Sequence, residues 1–207
     1  MKVSLPTSGP EEEPLYVQEV KDYLKIVGND EDAMLQGLIT SARLWCENFT
    51  NRSFIKQTRT QYMDEFWQPK GYNIRQSSSC IELLKGPLLD VSGATVISVK
   101  YYDENDTLQT LSPSAYWIDS KSPIPRIYVK ESWPATKVRP NAVEIEYWAG
   151  YGTTGVSVPS YFKDAMQMYI AHCYENRVPE ITGTIIARFE LGIERLLNPG
   201  ASYQNAF

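Results

Sequence analysis

The chain has 207 residues, 43% of them apolar, enough to bury a sizeable core as an ordinary globular protein. Twenty basic against 25 acidic residues leave a net charge of −5, which argues against non-specific wrapping of nucleic acid by a basic surface. No run of 18 apolar residues occurs and the opening residues lack an apolar stretch of signal-peptide length, so neither a membrane span nor export is expected. The three cysteines, Cys46, Cys80 and Cys173, are too few and too scattered for a disulfide framework or a zinc site and read as reduced thiols, Cys46 and Cys173 by burial on helical faces. Three N-x-S/T matches, at Asn48, Asn51 and Asn105, are chance matches in a chain without a secretory signal.

Taken in chain order, MKVSLPTSGPEEEP reads as a loose leader whose Glu11, Glu12 and Glu13 suit by sign the start of a following helix. Val17, Val20, Leu24 and Val27 predict a short amphipathic helix ending at Gly28. Asn29 or Asp30 is expected to cap a longer helix with Met34, Leu35, Leu38, Ile39, Ala42, Trp45 and Phe49 along its buried stripe. From residue 53 the pattern changes to short β-branched and aromatic runs at 58–66, 80–84, 96–102, 107–111, 116–120, 126–129 and 143–148, separated by turn residues. The segment 103–106 reads as a hairpin connection; it lacks the glycine and distal glutamate of a calcium loop. Five prolines between 113 and 140 confine these runs to edges and boundaries, which favours a small barrel or sandwich over a flat sheet. The helical pattern returns in VPSYFKDAMQMYIAHCYENR at 158–177, where Phe162, Ala165, Met166, Tyr169, Ile170 and Cys173 share one face between Pro159 at the start and Arg177 and Pro179 at the end. ELGIERLLNPG at 190–200 is a further helical stretch with its stop.

The expected fold class is therefore α+β. Both chain ends, 1–53 and 156–207, form a discontinuous helical bundle, and an antiparallel β barrel or sandwich of residues 54–155 is inserted between them. If the ends share one core, Met34, Leu38, Trp45, Phe162, Met166 and Ile170 should pack in it.

Catalytic chemistry finds little footing. His172 is the only histidine, so a multi-histidine metal site is excluded and any triad would depend on it; its sequence neighbour Cys173 points about 100° away on a helix. GYGTTG at 150–155 follows a strand but lacks the lysine of a phosphate-binding loop and the spacing of a dinucleotide fingerprint, and reads as a flexible exit from the β domain. Glu144 and Glu146 alternate with apolar residues and are expected on a wet strand face. No catalytic residue, cofactor site or metal site is assigned. The unusual quantity is aromatic content: fourteen Tyr and five Trp, many of them in the β segment, point either to a tyrosine-rich β core or to extended protein–protein contact.

PLYVQEVKDYLKI (14–26), NDEDAMLQGLITSARLWCENFTNRSF (29–54), KGPLLDVSGATVISVKYYDENDTLQTLSPSAYWID (85–119), SWP (132–134), RPNAVEIEYWAGYG (139–152), VPSYFKDAMQMYIAHCYENR (158–177) and GIERLL (192–197) together resemble, in order and spacing, the tailed-phage head-tail connector family with an inserted β domain. The resemblance implies a structural virion protein of the neck, an adaptor or head-completion protein and no enzyme. It implies a homo-oligomeric ring of about twelve copies between the portal protein and the tail-side stopper or tail-completion protein, with DNA passing through its lumen without sequence-specific contact. The acidic leader and the ending NPGASYQNAF depart from the family's usual ends. Asn198, Pro199 and Gly200 break the last helix, and Tyr203 and Phe207 are aromatics that a merely solvated tail does not need, so this tail is expected to anchor the portal. Two competing readings are a small hydrolase with an unrecognised carboxylate pair and a carbohydrate-binding β module using exposed aromatics; the first needs converging carboxylates in a cleft, the second an aromatic platform on a monomer.

Overall fold

The computed structural model describes residues 2–66, 80–176 and 186–198. In chain order they form β1 (Lys2–Ser8), α1 (Val17–Leu24), α2 (Asp32–Thr50), β2 (Gln57–Met63), β3 (Cys80–Glu82), β4 (Val96–Tyr102), β5 (Leu108–Thr110), β6 (Tyr116–Asp119), β7 (Arg126–Val129), β8 (Val143–Ala149), α3 (Ser160–Glu175) and α4 (Ile186–Leu197). The chain divides into two units, Met1–Gly9 with Lys56–Gly150, and Pro10–Ile55 with Tyr151–Phe207. The first is antiparallel β and the second helical, so the class is α+β.

In the β unit, a five-stranded sheet of order β1-β2-β8-β4-β5 and a three-stranded sheet of order β3-β7-β6 cover one core. Neither sheet closes on itself, which removes the barrel from the two expected alternatives. Strict alternation along β8 aims Val143, Ile145, Tyr147 and Ala149 into that core, where β4 contributes Val96 and Val99 and β7 contributes Ile127 and Val129. Glu144 and Glu146 take the half-buried outer face of β8. Residues 103–106 connect β4 to β5, with the Asp103 carboxylate accepting from the Asn105 and Thr107 backbone N–H groups and from the Gln109 amide.

The leader is where expectation and structure part. Residues 2–8 pair antiparallel with β2, Lys2 opposite Met63 through Ser8 opposite Thr58. No side chain of β1 is buried, so the strand carries no alternating signal; what holds it is backbone pairing and polar contacts. β2 turns Gln57, Arg59 and Gln61 toward the buried side, and β1 supplies partners there. Arg59 donates through Nε to Ser4 Oγ at 3.1 Å and through Nη2 to the Ser4 carbonyl at 3.0 Å. Ser4 Oγ also lies 3.0 Å from the Tyr147 hydroxyl, which donates to the Leu84 carbonyl at 2.6 Å. Gln61 closes the set, accepting from Leu84 N–H and donating to the Glu82 carbonyl.

In the helical unit, Glu19 caps the Tyr16 N–H at the start of α1 at 2.7 Å. The helix ends at Lys25, in the left-handed conformation at φ 61°, three residues before the expected Gly28, and Val27 is 98% exposed where burial was expected. The nearly buried Lys21 holds the turn into α2 by donating to Asn29 Oδ1 and Asp32 Oδ1 at 2.7 and 2.9 Å. Glu31 occupies the N-cap position of α2, in place of Asn29 or Asp30. Leu35, Ile39, Ala42 and Cys46 of α2 pack with Val20 of α1, with Phe162, Ala165, Met166 and Ile170 of α3, and with Ile193 and Leu197 of α4.

Candidate interaction surfaces

The residues singled out from the sequence for a shared helical core are placed as follows. Phe162, Met166 and Ile170 are fully buried in the helical core; Leu38 and Trp45 are half-buried against it, and Met34 is half-buried. Trp45 stacks between Phe49 and Tyr169, with ring centroids 5.6 and 5.3 Å away. Phe162 sits in a second aromatic group with Phe54, Tyr161 and Tyr151. Of the residues named as the tail anchor, Asn198 is exposed at the end of α4, while Pro199, Gly200, Tyr203 and Phe207 lie outside the described residues, as do Trp67, Tyr72 and Arg177.

A buried polar clamp organises the helical unit where its chain enters and leaves. Arg43, on the inward side of α2, donates to Glu13 at 2.7 Å and to Glu47 at 3.1 Å, and Glu47 accepts the Phe54 backbone N–H at 2.7 Å. Burial works against the Arg43 charge, but the two carboxylates overcome it and hold its pKa above the ordinary value. One guanidinium thus ties the segment before α1 to the segment after α2. Close by, burial with the neighbouring Glu47 pushes the Cys46 thiol up to about 12, which makes it inert.

The stretch GYGTTG is a tight junction and differs from the flexible exit expected. Tyr151 N–H donates to the Phe54 carbonyl, Gly152 bridges Ile55, and a Cβ on Gly155 would lie 2.4 Å from the Pro14 carbonyl oxygen. A Cβ on Gly152 would lie 2.3 Å from Ser157 Oγ. These glycines are demanded by close approach, a requirement that no local motif announces.

Among the described residues, no group of three or more His, Cys, Asp or Glu could hold a metal ion, and no helix is long and apolar enough to cross a membrane. His172 lies near the end of α3, with its Nδ1 3.2 Å from the Asn176 side-chain amide.

Two surface features stand out. On the outer face of the three-stranded sheet, Trp117 is 60% exposed, with Lys130 Nζ 5.5 Å from its ring centroid and Tyr128 in register beside it. Arg126 lies over the Tyr128 ring and pairs with Asp119 at 2.6 Å. In the helical unit, a cleft of about 410 Å³ is lined by Pro10, Leu15, Tyr16 and Gln36, with Glu11 and Glu12 among its walls.

Residues 15–81, from the entry of α1 to the first residues of β3, match the family model described as phage gp6-like head-tail connector protein. No curated protein matches the chain by sequence. Among solved structures, a chain of the neck of an empty GTA particle computed with C6 symmetry superposes with a TM-score of 0.76 at 18% identity, covering 98% of this chain and 97% of that one. A chain of the virion of a native gene transfer agent (GTA) particle gives 0.75 at 18% identity with the same coverage. A chain of the neck of a native GTA particle computed with C12 symmetry gives 0.71 at 18% identity, covering 99% and 97%. Residues 15–81 thus carry the sequence signature of the phage gp6-like head-tail connector family, and nearly the whole chain has the fold of chains found in gene transfer agent particles.

Proposed function

We propose that this protein is a structural adaptor of a phage-type neck: a ring of about twelve copies joining the portal to the tail-side stopper or tail, around the channel through which DNA passes. The observation that carries the reading is the coincidence of the connector signature over 15–81 with a fold shared along nearly the whole chain with chains of GTA necks and virions. The helical unit is the connector body, its one core built from residues 10–55 and 151–207, and residues 56–150 are an insertion into it that the first strand joins. A net charge of −5 suits a lumen that must let DNA slide without gripping its phosphates. The protein performs no turnover; His172 is structural, its ring beside the Asn176 amide at the end of α3.

The tail of residues 198–207 is the portal anchor, with Tyr203 and Phe207 as its apolar contacts and Asn198, Pro199 and Gly200 releasing it from α4. Deleting residues 199–207 is expected to leave melting behaviour unchanged while abolishing attachment to portal-bearing heads, as followed by co-sedimentation. Truncated protein that binds heads with unchanged affinity would refute the anchor, and full-length protein that binds no portal-bearing head would refute the adaptor reading itself.

A further inference from the structure

We propose that Trp117 and Lys130 of one copy insert into the cleft lined by Pro10, Leu15, Tyr16 and Gln36 of the next, forming the lateral contact of the ring; the inference rests on the ring reading above. Trp117 projects from β6, an outer strand of the three-stranded sheet, and its neighbour in sequence, Ile118, is 38% exposed on the opposite face. An edge strand with large apolar side chains exposed on both faces is a liability unless something covers it. A tryptophan with a cation at its ring is also the side chain most able to carry binding energy at the centre of an interface.

The cleft offers the complementary chemistry. Pro10 and the half-exposed Tyr16 provide apolar surface above the buried Leu15, and a volume of about 410 Å³ accommodates one indole with the end of a lysine. Glu13 is committed to Arg43 and Thr40, but Glu11 and Glu12 are exposed and stand ready to meet an ammonium group. The Tyr16 ring, half exposed, is placed by the bond from its hydroxyl to Glu12 at 3.3 Å.

Charge separates between the units in the same sense. The helical unit carries fourteen acidic and eight basic residues, the β unit eleven acidic and twelve basic. A contact between two different patches of the same chain is heterologous, the kind that generates a ring when its rotation closes. Each copy then offers one knob and one cleft, and closure leaves neither unpaired.

The test places a photo-crosslinking residue, Trp117→p-benzoylphenylalanine, in the full chain within assembled particles, using a mixture of isotopically heavy and light copies. The expected product is a ladder of covalent multimers in which position 117 is joined to the peptide containing residues 10–17, or to Gln36, of a different copy. Adducts confined to single copies, adducts to another protein, or no adduct would overturn the contact. A wild-type neck with a ring in which Trp117 faces solvent would overturn this contact alone, whereas a neck with no ring of this chain would overturn the ring reading too. As a second arm, Trp117→Ala should loosen copy–copy association by roughly tenfold or more without changing the melting curve. Lys130→Glu should weaken association and its combination with Glu12→Lys restore it; failure of the double variant to recover would count against the pairing.

Discussion

Gly155 shows how much a single residue can decide. Its missing side chain lets the chain pass against the Pro14 carbonyl, and because the obstructing atom is backbone, Gly155→Ala cannot be relieved by a rotamer change. The expected cost is about 3 kcal/mol, checked by urea denaturation. Asp119 offers a pH test. The hydroxyl and backbone of Ser122 and the Arg126 guanidinium lower its carboxyl from 3.8 to about 2. A pKa depressed in the folded state contributes stability that is complete above about 4 and is lost as pH falls from there toward 2. Asp119→Asn should therefore flatten the pH dependence of stability in that window and leave higher pH slopes unchanged. Cys46 should resist alkylation at pH 8 in the folded protein while the half-exposed Cys80 reacts, as mass spectrometry of peptides would show. Little of this was legible beforehand: close approach to Gly155 and the burial of Arg43 are tertiary facts, and neither glycine nor arginine advertises them locally.

At the scale of elements, the seven central strands were legible because they are runs of β-branched and aromatic residues bracketed by turn residues; 96–102 and 126–129 coincide with β4 and β7 to the residue. β1 was not, since a strand with no buried side chain leaves no pattern, and its Pro, Ser and Gly residues read as loop. The buried stripe of α2 was displaced for a related reason. Leu35, Ile39 and Ala42 are buried as expected, but Met34, Leu38 and Trp45 are half-buried and Phe49 is exposed, while Arg43, Cys46, Glu47 and Thr50 fill the rest of the buried face. Charged residues share that face because they are paired there. Arg43→Ala should accordingly cost about 3 kcal/mol, since it removes the buried guanidinium that both Glu13 and Glu47 bind. Ser4→Ala should cost about 2 kcal/mol by stripping Arg59 and Tyr147 of a shared partner. Trp45→Ala, at a half-buried site, should cost about 3 kcal/mol, the low end for a large aromatic.

For the whole molecule, the order and spacing of the segments carried the connector resemblance that residues 15–81 and the shared fold bear out. The exposed aromatics were legible only as aromatic excess. Which aromatic is exposed depends on strand register, and register sets Trp117 outside while Tyr147, from the same tyrosine-rich background, fills the core. The most direct test is a cryo-electron microscopy reconstruction of the neck of particles carrying this protein. The adaptor account predicts a closed ring of this chain, about twelve copies, between portal and tail with DNA in its lumen. Particles in which this chain is missing from the neck, or sits there as isolated copies, would contradict it.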